Sequence, residues 1–350
     1  MQYQPSVWEA LCASPLPLVL YGTGDGADKI LSVLSRWGRQ PDHIFVSDDF
    51  YRGQSFHGRS VTTLSALEAE YPDFLIVPAF GSHLPAIHAR IRSLAARHPM
   101  LIPDVPVCGE ALFDLSFVRA HRDELTAAYA LLADEASRTV FRQVVEYKLT
   151  GRPEPLFASE SPKADVFSSL LPLGPSEHYL DLGAYRGDTL EEFVRAVPEG
   201  RYASMTAFEP DPTSFRKLRE AWGHCPGVTL YEGAVGRQAD TLYLRRRRGR
   251  GSLLMPDPPG TPIPVRTVDS LAIPVTYLKM DLEGGEADAL LGAADVLAHQ
   301  KPRLNIACYH RSEDLFRLPL LLHSLQPSYR LFLRRHPCIP CWDLNLYARP

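Results

Sequence analysis

The chain has 350 residues, of which 45% are hydrophobic and 22% charged, and its formal net charge is −4. This composition is typical of a folded globular protein and excludes a largely disordered one. The negative net charge argues against a general attraction to nucleic acid or to anionic membranes. Because the length exceeds the usual range for one domain, we expect two.

Features of membrane and secreted proteins are missing from the sequence. No segment approaches the ~20 consecutive apolar residues that a membrane-spanning helix needs. The first apolar run, residues 16–21, follows no basic segment and leads into a glycine-rich turn, so we expect a strand and not a signal peptide. Six cysteines in such a chain fit free thiols in a reducing compartment. These features predict a cytoplasmic protein.

The first region, residues 1–107, alternates apolar strands with helical patterns. Strands are expected at residues 17–21, 43–46, 74–77 and 100–102. This alternation predicts βαβ units on a parallel sheet. The first strand ends in the glycine-rich turn 22–27, and Asp48 and Asp49 end the second, which is a weak dinucleotide-binding pattern.

The rest of the chain contains a helical segment and a second alternating region. Residues 108–171 are rich in Ala, Leu, Arg and Glu at helical spacing, which predicts a helical connector. Residues 172–350 again alternate strands with helices, and an insertion at 236–273 separates the third strand from the fourth. The predicted fold is α/β, with two Rossmann-like doubly wound sheets in tandem joined by the connector.

The second alternating region begins with a nucleoside-binding pattern. A strand carrying Asp181 is followed by a turn containing Gly183 and Gly187 and by a helix, and glycines allow a ligand to approach the backbone closely. Glu209, at the end of the next strand, is placed to accept the two hydroxyls of a ribose. Asp181 occupies a position where a dinucleotide site has glycine, and its carboxylate can hold an ammonium group but repels a pyrophosphate. The pattern therefore indicates S-adenosylmethionine, a nucleoside with a cationic amino-acid arm.

Several segments of residues 172–350 resemble the FkbM family of S-adenosylmethionine-dependent methyltransferases. The most specific is Leu278-Lys279-Met280-Asp281-Leu282-Glu283-Gly284-Gly285-Glu286, and the others include residues 181–189, 208–211 and 265–271. Many members carry Asn where this chain has Tyr185. The resemblance implies methyl transfer to oxygen, commonly on sugars or polyketides. It places the cofactor at Asp181, Gly183, Ala184, Tyr185, Gly187, Glu209, Pro210, Ala234 and Asp281.

Acidic and basic side chains near the ends of the fourth and fifth strands are candidates for acceptor binding and proton transfer. Carboxyl ends of parallel strands share one edge of a sheet, so Asp281, Glu283 and His310 are expected to lie near the donor. Methyl transfer requires positioned reactants and removal of the hydroxyl proton. We expect His310 or Asp281 to be the base, with Glu283 as a third catalytic residue. Glu283, Glu286, His310 and Arg311 are the expected acceptor-binding residues.

Metal sites are not expected. Asp281, Glu283 and His310 have residue types that can hold a divalent cation, but their spacing is weak evidence for one. Cys338 and Cys341 have the spacing of half a zinc site, yet no second pair stands near them. The basic run 244–252 fits either a grip on phosphate or a solvated hairpin edge, and we favour the edge. Without interleaved aromatic residues it does not indicate nucleic-acid binding.

The function of the first region has several interpretations. Residues 45–61 resemble the small N-terminal Rossmann-like domain of PglD-type sugar acyltransferases, which implies a site for a nucleotide-sugar or glycan carrier. The alternative is a scaffold or dimerisation domain, and a homo-oligomer is compatible with the sequence. For the whole chain, the expected acceptor is a hydroxyl of a sugar, nucleotide-linked sugar, glycan or related secondary metabolite. Two other functions stay open: an NAD(P)-linked oxidoreductase using the turn 22–27, or a non-catalytic nucleotide-binding assembly protein.

Overall fold

The computed structural model describes residues 5–246 and 252–350. These residues fold into two compact units. The first unit comprises the chain up to Arg122 together with Arg138–Ser161 and Arg335–Asp343. The second unit comprises Asp123–Ser137, Pro162–Arg334 and Leu344–Pro350.

The first unit contains a five-stranded sheet with helices between its strands. Its strands are β1 (Leu18–Tyr21), β2 (His43–Phe45), β3 (Ser55–Phe56), β4 (Arg59–Thr62) and β5 (Leu75–Pro78). Their order is β3-β4-β2-β1-β5, and all pairs are parallel except the β3–β4 hairpin. The helices are α1 (Val7–Ala13), α2 (Asp25–Arg36), α3 (Leu64–Glu70) and α4 (Pro85–Ala95). Strands β1 and β5 are buried along their whole length, although β5 lies at the edge of the sheet, where Met100 adds a single bridge to it.

The strand predicted at residues 100–102 is reduced to a single bridge. Met100 pairs with Ile76, but the Ile102 N–H donates to the carbonyl of Gly151 and not to the sheet. The chain leaves the sheet at that point, so the prediction of a fourth full strand was wrong. The β3–β4 hairpin was not predicted, because its strands have only two and four residues.

Two glycines of the turn 22–27 are explained by packing within the first unit. A β-carbon at Gly22, whose φ is +118°, would lie 2.9 Å from Cδ1 of Phe80. A β-carbon at Gly26 would lie 2.5 Å from the carbonyl oxygen of Ala79. The close approach of this turn to the end of β5 therefore requires glycine at both positions, with or without a bound ligand.

Residues 108–171 are mainly helical. The helices are α5 (Leu115–Ala120), α6 (Arg122–Leu131), α7 (Glu135–Thr150) and α8 (Pro153–Ala158), followed by a π-helical turn at Val166–Leu170. Asp134 precedes α7, and its Oδ1 accepts a hydrogen bond of 2.7 Å from the Ser137 N–H. This arrangement satisfies one of the unpaired N–H groups that every helix has at its start.

The second unit contains a seven-stranded sheet and a smaller four-stranded sheet. The strands in chain order are β6 (His178–Leu182), β7 (Ser204–Glu209), β8 (Val228–Glu232), β9 (Ala234–Val235), β10 (Asp240–Arg246), β11 (Ser252–Met255), β12 (Thr261–Arg266), β13 (Tyr277–Met280), β14 (Arg303–Ala307), β15 (Arg330–Arg335) and β16 (Leu344–Arg349). The order in the large sheet is β15-β16-β14-β13-β6-β7-β8, with β16 antiparallel to β14 and parallel pairing from β14 to β8.

The direction of the chain reverses at β6, which places a crevice beside it. From β6 the chain continues to β7 and β8 on one side, and it returns to β13 and β14 on the other. In an open sheet with this order, ligands bind outside the carboxyl ends of the strands at the reversal. The expected cofactor residues follow β6 and β7, and the expected catalytic residues follow β13 and β14.

The helices of the second unit are α9 (Asp188–Ala196), α10 (Pro212–Trp222), α11 (Glu286–Leu291) and α12 (Asp314–Leu325). The single helix that the sequence predicts over residues 286–299 consists of α11 and a separate π-helical turn at Val296–Gln300. Under the large sheet, the rings of Tyr179, Phe193 and Tyr277 are stacked with centroids 4.3–6.0 Å apart. This aromatic stack is part of the buried core on one face of the sheet.

The insertion supplies three strands of the small sheet, whose order is β11-β10-β12-β9, and β9 immediately precedes it. Arg245 lies on β10, and its guanidinium donates to the carbonyls of Asp257, Pro258 and Pro259 at 2.8–3.1 Å. Residues 247–251 of the predicted basic run lie outside the described part of the chain. Arg245, the arginine of this run whose side-chain contacts are described, therefore holds the loop at residues 257–259.

Membrane-crossing segments were searched among the described helices. None of them is both long enough and apolar enough to cross a bilayer.

Candidate active site

The turn after β6 is held tightly against two neighbouring strands. The N–H groups of Gly183 and Ala184 donate to the Phe208 carbonyl at 3.0 and 2.9 Å. Gly183 has φ of +92°, and a β-carbon there would overlap the Asp281 carbonyl oxygen. Gly187 has φ of +95°, and a β-carbon there would overlap the indole of Trp222. Both glycines are therefore required by the fold itself, a reason that the sequence pattern did not reveal.

Glu209 lies at the end of β7 and faces this turn. One carboxylate oxygen accepts a hydrogen bond from the Tyr185 N–H and the other from the Asp211 N–H, each at 2.8 Å. The residue is only 7% exposed, and burial raises the pKa of its carboxyl group to about 7 despite these two hydrogen bonds. Each oxygen keeps a second lone pair. The carboxylate is thus fixed in orientation and can still accept a pair of hydroxyl groups.

Asp181 is fully buried beneath the same turn. It accepts a hydrogen bond from the Tyr179 hydroxyl at 3.0 Å and another from Thr189, and the Lys279 ammonium lies 3.1 Å from its Oδ1. Lys279 also donates to the Gly183 carbonyl at 2.7 Å. Burial lowers the pKa of Lys279, but the charges of Asp181 and Asp281 outweigh burial and raise it overall. These contacts show Asp181 holding the turn through Lys279, while direct contact with a ligand stays a prediction.

The other expected cofactor residues surround the turn. The Tyr185 side chain is exposed, its φ is +49°, and the Arg186 guanidinium lies 4.8 Å from the centre of its ring. Pro210 is half-buried after β7, and Ala234 is buried on β9. The turn, Glu209 and these residues belong to neighbouring segments at one end of the sheet, which agrees with the order of their strands.

At the end of β13 the chain folds back sharply and brings two acidic residues to one histidine. Glu283 and Gly284 have φ of +51° and +96°, and the Leu282 N–H donates to Oε1 of Glu286 at 2.7 Å. His310 follows β14, with Nε2 3.2 Å from Oδ1 of Asp281 and Nδ1 2.9 Å from Oε1 of Glu286. Asp281, Glu286 and His310 are called the acid–histidine cluster below.

Charges in the acid–histidine cluster are strongly coupled. Burial lowers the pKa of His310, but Glu286 and Asp281 outweigh it and raise that pKa well above its ordinary value. Burial raises the pKa of Asp281, but hydrogen bonding to His310 and the charge of Lys279 lower it to about 2. Burial and the charge of Glu286 raise the pKa of Asp314, a buried neighbour, to about 7. The two carboxylates therefore favour the protonated form of His310.

The structure brings together only some of the predicted acceptor residues. The side chain of Asp281 is 39% exposed, while Glu286 and His310 are each 1% exposed. Glu283 is exposed in the turn, and Glu286, another predicted acceptor residue, contacts His310. Arg311 is held by the Gly284 carbonyl, 3.3 Å from its Nε.

Sequence reasoning did not assign a role to Tyr309 or Asp314. The Tyr309 hydroxyl lies 3.5 Å from Oδ1 of Asp281. Asp314 accepts a hydrogen bond of 2.8 Å from the Arg311 N–H at the start of α12. Tyr309 adjoins His310 in the chain, but the contact of its hydroxyl with Asp281 depends on how β14 pairs with β13. No local sequence pattern indicates that contact.

Comparison with known proteins identifies the larger part of the second unit. Residues 181–334 match the family described as "Methyltransferase FkbM domain". The crystal structure of methyltransferase FkbM from Methylobacillus flagellatus KT matches with a TM-score of 0.72 and 22% identity, over 95% of this chain and 89% of that one. The predicted α/β fold is therefore confirmed.

Two further solved structures match about half of the chain. An rRNA methylase from Streptococcus thermophilus has a TM-score of 0.34 and 12% identity, over 51% of this chain and 88% of that one. Aeropyrum pernix fibrillarin in complex with S-adenosyl-L-methionine has a TM-score of 0.35 and 14% identity, over 53% of this chain and 72% of that one. No curated protein sequence matches the chain.

Proposed function

Because residues 181–334 match the FkbM methyltransferase domain, we propose that the protein transfers a methyl group from S-adenosylmethionine to a hydroxyl oxygen of a sugar, nucleotide-linked sugar or glycan. The observation that carries this proposal is the fixed, buried carboxylate of Glu209 facing the glycine turn after β6. This is where an open sheet with this strand order binds the ribose of a nucleoside.

The residues around Glu209 fit the cofactor. Glu209 would accept hydrogen bonds from the two ribose hydroxyls, and the main chain of Gly183, Ala184, Tyr185 and Gly187 would border the amino-acid arm. Pro210 and Ala234 would flank the adenine ring of the cofactor. Lys279, paired with Asp181, holds the Gly183 carbonyl and so keeps the turn in shape. The chemistry that S-adenosylmethionine supplies is an electrophilic methyl group, and the protein has to align an acceptor oxygen with it.

Asp281 is the member of the acid–histidine cluster that an acceptor can reach. Its exposed carboxylate would accept a hydrogen bond from the acceptor hydroxyl and take its proton as the oxygen is methylated. His310 and Tyr309 hold that carboxylate in place, since both lie within 3.5 Å of Oδ1. His310 therefore acts as a positioning residue, because its burial keeps it from the acceptor.

The rim beside Asp281 supports a hydroxyl-rich acceptor. Glu283 is exposed in the turn after β13, Tyr185 is exposed in the turn after β6, and Arg311 is half-buried beside Gly284. Carboxylates and arginine bond hydroxyl groups, and aromatic rings pack against the apolar faces of sugars. We assign Glu283 and Arg311 to acceptor binding and orientation.

The proposal is tested by calorimetric titration with S-adenosylhomocysteine. The wild type should bind one equivalent, and Glu209→Ala should weaken binding at least tenfold. Glu220→Gln, which removes an exposed acid from α10, is the control and should bind normally. Binding of NAD without binding of S-adenosylhomocysteine would overturn the proposal and favour the oxidoreductase. Transfer of labelled methyl groups to a panel of nucleotide sugars would then identify the acceptor.

A further inference from the structure

The acid–histidine cluster has the composition of a metal site as well as of a proton-transfer site. Asp281, Glu286 and His310 each offer one ligand atom, and these atoms lie within 4.8 Å of one another. They come from three different segments: the end of β13, the start of α11 and the end of β14. Asp281 and Glu286 lie five residues apart in one turn, and the pairing of β13 with β14 brings His310 to them.

One carboxylate oxygen in the cluster is buried without a partner. Glu286 is 1% exposed, and its Oε1 accepts the Leu282 N–H and lies beside His310. Its Oε2 has no hydrogen-bond partner among the residues that the structure describes. Buried polar atoms nearly always have a partner, so an unpaired carboxylate oxygen indicates a site for an ion or water. This observation is independent of the spacing of the three residues.

The surrounding charges also leave room for a cation. His310 is the one basic side chain in the described residues that forms an ion pair with Asp281 or Glu286. The charge of Lys279 also acts on Asp281, so a metal ion bound by the cluster would take the place of the proton that His310 carries. Asp281 faces solvent while the other two residues are covered, so the cluster opens on one side only.

We propose that Asp281, Glu286 and His310 bind one divalent transition-metal ion, with an open coordination position on the side of Asp281. A mixed set of carboxylate and imidazole ligands suits Mn²⁺, Fe²⁺, Co²⁺ or Zn²⁺ better than Ca²⁺. Catalytic metal sites commonly have three protein ligands and one open position. The role of the ion rests on the proposed function: it would bind the acceptor oxygen beside Asp281 and make loss of the hydroxyl proton easier.

The binding test uses the full chain, stripped of metal with a chelator and titrated with Mn²⁺. Electron paramagnetic resonance should show one bound ion per chain. Glu286→Gln and His310→Asn should each weaken binding by tenfold or more, as loss of a ligand does. Asp288→Asn removes an exposed acid from the same helix, and that control should bind Mn²⁺ like the wild type. Circular dichroism checks that each variant is folded. If Glu286→Gln or His310→Asn does not fold, Asp281→Asn takes its place in the test.

The outcomes separate this inference from the proposed function. No saturable binding of Mn²⁺, Co²⁺ or Zn²⁺ would overturn the metal site, as would equal binding by Glu286→Gln and Asp288→Asn. Methyl transfer that continues unchanged in excess chelator would remove the assigned role, while the methyltransferase proposal would stand. Metal binding without any binding of S-adenosylhomocysteine would overturn the methyltransferase proposal and leave the site intact.

Discussion

Gly183 and Asp281 are in direct main-chain contact, although they lie almost one hundred residues apart in the chain. The turn that follows β6 passes so close to the end of β13 that no β-carbon fits at residue 183. The same contact places the proposed cofactor turn beside the proposed acceptor site. Backbone packing therefore sets the distance between the proposed cofactor site and the proposed acceptor site.

Gly183→Ala tests this contact. The new methyl group would overlap the Asp281 carbonyl, and φ of +92° is unfavourable for alanine, so we expect a loss of at least about 3 kcal/mol in unfolding free energy. S-adenosylhomocysteine binding should be lost with it. Gly200→Ala is the control, because Gly200 has φ of +67° but an added β-carbon would make only ordinary contacts, at 3.6 Å or more from Val194. That variant should lose only about 1 kcal/mol in urea unfolding. If both variants lost the same unfolding free energy, the loss would come from the positive φ angle and not from the contact with Asp281.

Glu209→Gln tests the raised pKa of the proposed ribose acceptor. With a pKa of about 7, Glu209 is mostly protonated at pH 6 and mostly ionised at pH 8. The ionised form accepts both hydroxyls, so S-adenosylhomocysteine should bind up to about tenfold more tightly to the wild type at pH 8 than at pH 6. Calorimetry should show no such change for Glu209→Gln. The same pH dependence in the variant would assign it to another group.

The pKa of Glu209 also has a consequence for stability. Its folded-state pKa lies above its ordinary value of 4.5, so the folded state holds this proton more tightly than the unfolded state does. The stability of the wild type relative to Glu209→Gln should therefore fall as pH rises from about 4.5 through 7. Thermal unfolding of both proteins at pH 5 and pH 8 measures the difference. A constant difference would contradict the raised pKa.

Lys279→Met tests the buried ion pair under the turn. Removing the ammonium leaves Asp181 buried without its charge partner, and such changes cost about 3–5 kcal/mol. The double variant Asp181→Asn/Lys279→Met should recover part of that loss, since no charge is then buried. Lys217→Met, at an exposed position of α10, should change stability by less than about 0.5 kcal/mol. Chemical denaturation measures the unfolding free energy of all three variants. If the double variant recovered none of the stability that Lys279→Met loses, coupling between Asp181 and Lys279 would be excluded.

Asp134→Asn tests an ion pair in the second unit that is far less buried. Asp134 lies 2.7 Å from the Arg334 guanidinium. Partial burial raises the pKa of Asp134, but hydrogen bonds with Arg334 and Ser137 outweigh burial and lower it to about 2. A folded-state pKa below the ordinary 3.8 stabilises the fold above about pH 4, and this stabilisation disappears as pH falls through 2. Allowing for solvent screening, we expect the variant to lose about 1–2 kcal/mol at pH 7.

The loss in Asp134→Asn should shrink at low pH. Urea unfolding at pH 7 and pH 3 measures it, and asparagine is also a good helix cap, so the charge is the main difference. Asp123→Asn, at an exposed position of α6, is the control and should behave like the wild type at both pH values. A loss that stays the same at pH 3 would point to the hydrogen-bond geometry and not to the ionised carboxylate.

The sequence alone was sufficient for the α/β class, the family of residues 181–334 and the placement of Glu209 near the glycine turn. These features depend on local signals: apolar periodicity, turn residues and a carboxylate at the end of a strand. The same signals were too weak for the β3–β4 hairpin, whose strands are very short. They also predicted a strand at residues 100–102, where the chain in fact turns away to bond Gly151.

The tertiary structure decided which charged groups meet. The sequence named Glu283, Glu286 and His310 together, and the left-handed backbone at Glu283 and Gly284 accompanies the contact of Glu286 with the histidine. Asp181 was predicted to contact a ligand, which stays a prediction, and the fold adds an ion pair with Lys279 that no sequence pattern indicated. Which carboxylate is buried and which cation it meets depends on strands that pair across a hundred residues, and no local pattern records that pairing.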